Sequence, residues 1–170
     1  QARRAEAQTV VARHEAASSA AALAFLADLF AASDPAESKG RSFTDRELLA
    51  IAAERLDRDL SGKPGLQIPL LHQLASIRMQ RGEYAEGVAL ARREVGLQVR
   101  LAGPTSVEVA RSRSLLANLL WLADEPAPAR ALYRAALEMR RTAPPTGHPD
   151  IATSLNNLAL LLESTSRTAE

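Results

Sequence analysis

The sequence predicts an all-α protein in which antiparallel helix pairs stack into a solenoid. Alanine and leucine dominate the chain, whereas aromatic residues make up only 4% of it, and this composition favours helices over strands. Apolar residues recur at helical spacing between clear turn signals. From residue 66 onward, the pattern also repeats every 42 residues. A period of that length is typical of repeat architectures.

The repeat aligns without gaps. Leu74, Leu116 and Leu158 occupy one register position, and each is followed by an alanine. Gly82 and Asp124 fall together at a turn, with Ser166 one period later. Other positions with the same register are Ile77, Leu119 and Leu161, then Leu90 and Leu132, then Val95 and Leu137. Agreement at several positions predicts that the same pair of helices recurs along the chain.

Each unit is predicted to hold two helices and two turns. The units span residues 66–103 and 106–143, followed by an incomplete unit at 148–170 that has only its first helix. One helix pair cannot bury its apolar face alone, so neighbouring pairs must stack.

Residues 1–60 are predicted to form a degenerate leading pair that links the repeats to an upstream domain. A long first helix covers residues 3–32 and ends at Ser33-Asp34-Pro35, since the residue before proline avoids the helical region. The second helix covers residues 44–60, and Thr44 with Glu47 forms a capping box at its start. The Gly- and Pro-containing residues 61–65 predict a break. Because the chain begins with Gln1, we expect it to be part of a longer protein.

The repeating part resembles the tetratricopeptide repeat in its 42-residue, kinesin-light-chain-like form. Residues 148–159, with the sequence HPDIATSLNNLA, are similar to the opening of that form. Ala129, Tyr133 and Ala136 match the small–aromatic–small pattern of its second helix. The preceding unit departs from this pattern with Gly87, Ala91 and Glu94. The resemblance implies a right-handed α-solenoid that binds a protein or peptide in a concave groove lined by the first helix of each pair.

The leading segment resembles the region that joins the catalytic domain to the repeats in certain bacterial serine/threonine protein kinases. The similarity lies in residues 25–30, 33–35, 44–49 and 53–56. It implies the sensory or docking region of a membrane-anchored kinase, on the extracytoplasmic side, with a cytoplasmic location as the alternative. The repeat region of a transcriptional regulator or an ATPase is a further alternative.

The chain itself is expected to be non-catalytic and to need no cofactor or metal. It has no cysteine, and it lacks the Gly-rich loop, the strand lysine and the metal-binding aspartate of a kinase core. Asp57-Arg58-Asp59-Leu60 is interpreted as a helix end, and His148-Pro149-Asp150, which also matches a co-chaperone tripeptide, as a helix start. The other histidines, His14 and His72, are too far apart in sequence to suggest a metal site.

Nucleic acid and membrane are not expected partners. The net charge is +1, which provides no bulk attraction for polyanions, and no apolar run is long enough to span a bilayer. A phosphate-binding stripe is the less favoured interpretation of six arginines, because acidic residues are interleaved with them. These are Arg92, Arg93, Arg111, Arg113, Arg140 and Arg141.

Twelve residues on the first helices are predicted to line the groove. They are His72, Gln73, Ser76, Met79, Arg111, Ser114, Asn118, Trp121, Thr153, Asn156, Asn157 and Leu160. Asparagine amides both donate and accept, so they can hold a peptide backbone, and tryptophan is enriched at binding hot spots. The alternative is that Asn156 and Asn157 only satisfy neighbouring helices and that Trp121 only fills the gap between helices.

Leu155, Leu158 and Leu162 are expected to be exposed on the last helix. Self-association through this helix, with the groove unused, is therefore the competing function.

Overall fold

The computed structural model describes residues 44–142 and 150–167, and it confirms the all-α helical repeat. The described residues form six α-helices and contain no strand. The helices are α1 (Asp45–Asp59), α2 (Pro64–Gln80), α3 (Tyr84–Ala102), α4 (Val107–Leu122), α5 (Pro126–Thr142) and α6 (Asp150–Arg167). The predicted helix over residues 3–32 and the residue His148 lie outside the described residues.

The chain divides into two compact units, Gln1–Leu70 and Leu71–Glu170, with the boundary inside α2. The predicted domain limits at residues 60 and 66 stay predictions. In the first unit, the capping box of α1 forms as expected. The Thr44 hydroxyl accepts from the Glu47 amide at 3.3 Å, and the Glu47 carboxylate accepts from the Thr44 amide at 2.8 Å.

The break after α1 is shorter than the sequence suggested. Helix α2 begins at Pro64 rather than at Leu66, because proline has the backbone angle of a helix start and lacks only an N–H that would have no partner there. The Gln67 side chain is buried and donates to the Leu56 carbonyl at 3.1 Å. This bond fixes the start of α2 against the end of α1.

In the second unit, consecutive helices pack against one another from α3 to α6. The register positions identified in the sequence are buried at Leu74, Leu116, Leu119 and Leu161. Leu158 is only half-buried. The reason is that, among the described residues, helix α6 is packed on one side only, whereas α4 lies between α3 and α5.

The two turns at the repeat positions have the same backbone geometry. Gly82 and Asp124 both adopt left-handed angles, with φ of 74° and 62°. In each turn the next residue donates to the carbonyl five residues back: Glu83 N bonds Arg78 O at 2.9 Å, and Glu125 N bonds Leu120 O at 2.8 Å. The 42-residue register therefore holds at the level of individual hydrogen bonds.

Candidate protein-binding groove

The predicted groove residues lie on α2, α4 and α6, and most are neither fully buried nor fully exposed. His72, Ser76 and Met79 on α2 are half-buried, as are Ser114, Asn118 and Trp121 at related positions on α4. On α6 the set is more exposed, with Leu160 at 45%. The exposed members are Gln73, Arg111, Thr153, Asn156 and Leu160, and Asn157 is half-buried. Whether this surface binds a partner stays a prediction.

A buried carboxylate joins the first helices of adjacent repeats. Glu94 on α3 is 2% exposed, and its Oε1 lies 3.0 Å from His72 Nδ1 on α2. The same oxygen accepts from the Ser112 hydroxyl on α4 at 2.6 Å. Its second oxygen, Oε2, is buried and has no hydrogen-bond partner among the described residues. We call this contact between α2, α3 and α4 the first junction.

One repeat later, a buried guanidinium makes the equivalent connection. Arg140 on α5 is 4% exposed. Its Nη1 donates to Ser114 Oγ on α4 at 2.9 Å and to Ser154 Oγ on α6. Ser114 and Ser154 lie 42 residues after His72 and Ser112, so related pairs are joined in both places. We call this contact between α4, α5 and α6 the second junction.

The second junction also contains a charged pair at its edge. Arg140 Nη2 lies 3.6 Å from Asp150 Oδ2, and Asp150 is 44% exposed. Burial lowers the pKa of Arg140, the nearby Asp150 raises it, and the like charge of Arg111 lowers it further. Arg140 is thus held as a charged donor by the two serines and by Asp150, at the cost of burying its guanidinium.

Asn118 is oriented by a buried tyrosine. The Tyr133 hydroxyl on α5 donates to Asn118 Oδ1 on α4. Burial raises the pKa of Tyr133 to about 12, so the phenol keeps its proton at neutral pH and must act as donor. Since the amide oxygen is occupied, the Asn118 NH2 group is the part available to a ligand, and it has no partner among the described residues.

The last helix differs, because its asparagines make no such contacts. Neither Asn156 nor Asn157 forms a side-chain hydrogen bond to any residue that the structure describes. The alternative in which both amides satisfy neighbouring helices therefore finds no support within residues 44–142 and 150–167. It does apply to Ser114 and Asn118, whose side chains bond to α5.

The six arginines do not gather into one stripe. Arg140 turns inward, as described above, and Arg141 pairs with Glu138 on its own helix at 3.0 Å. Arg113 Nη1 lies 3.3 Å from Met139 Sδ. The favoured solvated-face interpretation is wrong for Arg140, because the seryl hydroxyls of two neighbouring helices provide it with acceptors inside the protein.

The sequence reasoning missed Glu94, Ser112, Arg140 and Ser154 as a related set. One signal was present: Glu94 occupies the register position of Ala136, and an ionisable side chain at a buried position needs a partner. The signal was hidden because Arg140 stands one helical turn beyond that position, opposite Gln98 in the register. The charged side chains of the two junctions therefore do not align.

The described residues offer no catalytic or metal-binding arrangement that would compete with a binding role. Among them, no three His, Asp or Glu side chains are grouped so that they could hold a metal ion. Within the same residues, no helix combines the length and the apolar character needed to cross a membrane.

Comparison with known proteins supports the interpretation of the repeats. Residues 67–142 match the sequence model of the tetratricopeptide repeat, over somewhat less than half of the chain. No match was found among curated proteins. Repeats of this family generally mediate protein–protein interaction and are typically non-catalytic. The helices, the period and this match agree, and residues 67–142 are a tetratricopeptide-repeat region.

Proposed function

We propose that the chain binds a peptide segment of a protein partner across the faces of α4 and α6 that carry Asn118, Trp121, Asn156 and Asn157. The observation that carries the proposal is the set of amide groups with unused hydrogen-bonding capacity on two related helices. An extended peptide needs donors and acceptors of this kind along its backbone. Trp121 is half-buried, so it can add apolar contact without first being exposed by a rearrangement.

Rigid support from behind strengthens the proposal. Asn118 is fixed by Tyr133, and the adjacent Ser114 is fixed by Arg140. A surface whose polar groups are already oriented loses less entropy when it binds. The buried bonds therefore favour binding rather than compete with it.

The test is selection of peptides from a random displayed library against the whole 170-residue chain. The selected peptides are then measured by titration calorimetry against the double variant Asn156→Ala/Asn157→Ala and against Trp121→Ala. We expect each variant to weaken binding by about tenfold or more, the range of a hot-spot residue. The control, Arg134→Ala/Glu138→Ala, changes two exposed residues of α5 and should bind as the wild type does. Equal affinity for all variants would contradict the groove.

The wider context belongs to the same proposal. We place the module in a bacterial serine/threonine protein kinase, as a sensory or docking region on the extracytoplasmic side of the membrane. The support is the resemblance of residues 44–49 and 53–56, which form part of helix α1 and its cap. The test is the reading frame upstream of Gln1 in the source genome. A kinase core followed by a membrane span is expected there, and a transcription-factor or ATPase domain would overturn the assignment.

Self-association is the second candidate, and one observation favours it. Leu155, Leu160 and Leu162 on α6 are 39–45% exposed, whereas Leu120, which precedes Leu162 by 42 residues, is 1% exposed. Multi-angle light scattering over a range of concentrations tests this function. If it operates, mass will rise with concentration in the wild type, and Leu162→Glu will remain a monomer. A constant monomer mass would exclude it.

A further inference from the structure

A small apolar cavity lies between α5 and α6, away from the predicted groove residues. It encloses about 120 Å³ and is lined by Pro126, Ala127, Arg130, Leu161 and Thr165. Leu161 is fully buried, whereas Ala127 and Arg130 are exposed. The cavity therefore has an apolar floor and opens to solvent beside a cation. We call it the α5–α6 socket.

The repeat register explains why space is left here. The positions of Pro126 and Arg130 are held by Tyr84 and Val88 one repeat earlier. Val88 is buried and Tyr84 is half-buried. At the socket, a pyrrolidine ring replaces the phenol, and an exposed arginine replaces the buried valine. The side-chain volume that these positions contribute in the earlier repeat is thus missing between α5 and α6.

The chemistry of the walls defines what the socket can hold. The Thr165 hydroxyl donates to the carbonyls of Leu161 and Leu162, each at 3.0 Å, so its polar group is already satisfied. Arg130 forms no ion pair with any described residue. An apolar cavity of comparable size binds a small hydrocarbon group, and an exposed guanidinium at its edge favours a neighbouring carboxylate.

We infer that the α5–α6 socket is a docking site for a protein partner that inserts a leucine-sized side chain next to an acidic residue. The apolar side chain fills the space above Leu161, and the carboxylate pairs with Arg130. This site goes beyond the proposed groove function and shares none of the predicted groove residues with it. Each can therefore fail without the other.

Blocked dipeptides test the socket directly on the whole chain. The probes are acetyl-Leu-Glu-amide, acetyl-Leu-Gln-amide and acetyl-Ala-Glu-amide, and the readout is the methyl NMR signals of Leu161 and Thr165. We expect saturable shifts with the Leu-Glu probe. Loss of the carboxylate should weaken binding about twofold to fivefold, as for an exposed ion pair. Loss of the leucine side chain should weaken it roughly tenfold or more.

Two pairs of variants separate the socket from general surface effects. Ala127→Leu places a side chain in the cavity and should abolish the shifts, whereas Ala131→Leu, one turn further along α5, should leave them unchanged. Arg130→Gln should remove the preference for Glu over Gln, and Arg134→Gln should retain it. Absence of saturable shifts in the wild type, or shifts that persist in Ala127→Leu, would overturn the inference. Equal binding of the Leu-Glu and Leu-Gln probes to the wild type would overturn the acidic partner.

Discussion

The two junctions of this repeat region perform the same task with opposite charges. In the first, the Glu94 carboxylate accepts from His72 and Ser112. In the second, the Arg140 guanidinium donates to Ser114 and Ser154. Each bridge joins related positions on successive first helices, and each leaves one buried atom, Glu94 Oε2 or Arg140 Nε, without a partner among the described residues. The repeat thus preserves where helices are joined, while the chemistry of the joint varies.

The largest expected effect comes from truncating the basic bridge. Arg140→Ala removes charged hydrogen bonds and leaves space between α4 and α6, so we expect a loss of about 2–3 kcal/mol in the free energy of unfolding. Arg140→Met keeps most of the volume and should lose less than about 1 kcal/mol, because apolar replacement of a buried charge is often nearly neutral. Urea denaturation followed by circular dichroism measures both. Equal losses would show that packing of the long side chain, and not its bonds, is unimportant to the difference between the junctions.

Truncating the acidic bridge should have a smaller effect. Glu94→Ala leaves the His72 and Ser112 donors without their acceptor, and we expect a loss of about 1–2 kcal/mol. His72 is 26% exposed, so water can replace part of what it loses. The same denaturation experiment measures the change, and a loss greater than that of Arg140→Ala would reverse the order of the two junctions.

A graft tests whether the two bridges are interchangeable. The triple variant His72→Ser, Glu94→Ala and Gln98→Arg gives the first junction the side chains of the second, with Glu108 at the register position of Asp150. We expect it to recover at least half of the stability lost in Glu94→Ala, measured in the same urea titrations. A triple variant less stable than the single one would mean that the helix spacing at the first junction does not admit a guanidinium.

Alkaline pH should weaken the second junction through Tyr133. Burial raises the pKa of Tyr133 to about 12 from an ordinary value of 10, so the folded protein holds the phenolic proton more tightly than the unfolded chain does. The resulting stability is present below pH 10 and is lost as the pH rises toward 12. Thermal melts across this range should show a steeper fall for the wild type than for Tyr133→Phe. Parallel curves would contradict the role of the phenol.

The turns provide the smallest predicted difference. Gly82 and Asp124 have the same left-handed angles, which aspartate adopts at some energetic cost. Asp124→Gly should therefore gain about 0.5–1 kcal/mol, and Gly82→Asp should lose a similar amount. Urea midpoints measure both, and changes of the same sign would show that the two turns are not equivalent.

The sequence was sufficient for the parts of the structure that recur. The Leu74 and Leu116 register, the turn at Gly82 and Asp124, and the capping box at Thr44 follow from local chemistry that repeats or has a known signature. The buried bridges do not recur as residue types, since Glu94 aligns with Ala136 and Arg140 with Gln98. Their partners come from other helices, and only the packed structure brings these together. For the same reason, the sequence could not show that Ser114 and Asn118 are engaged from behind by α5.

Repeat proteins face a problem of order, since surfaces that resemble one another can pair in the wrong sequence during folding or between neighbouring molecules. The unlike buried groups of Glu94 and Arg140 give each interface its own requirement. A segment that slipped by 42 residues would set Arg140 where a carboxylate belongs, or leave Glu94 enclosed without the imidazole of His72. Mispaired arrangements would then carry an uncompensated ion, which is strongly unfavourable inside a protein. The alternation of charge thus acts as an address that keeps the helices in sequence.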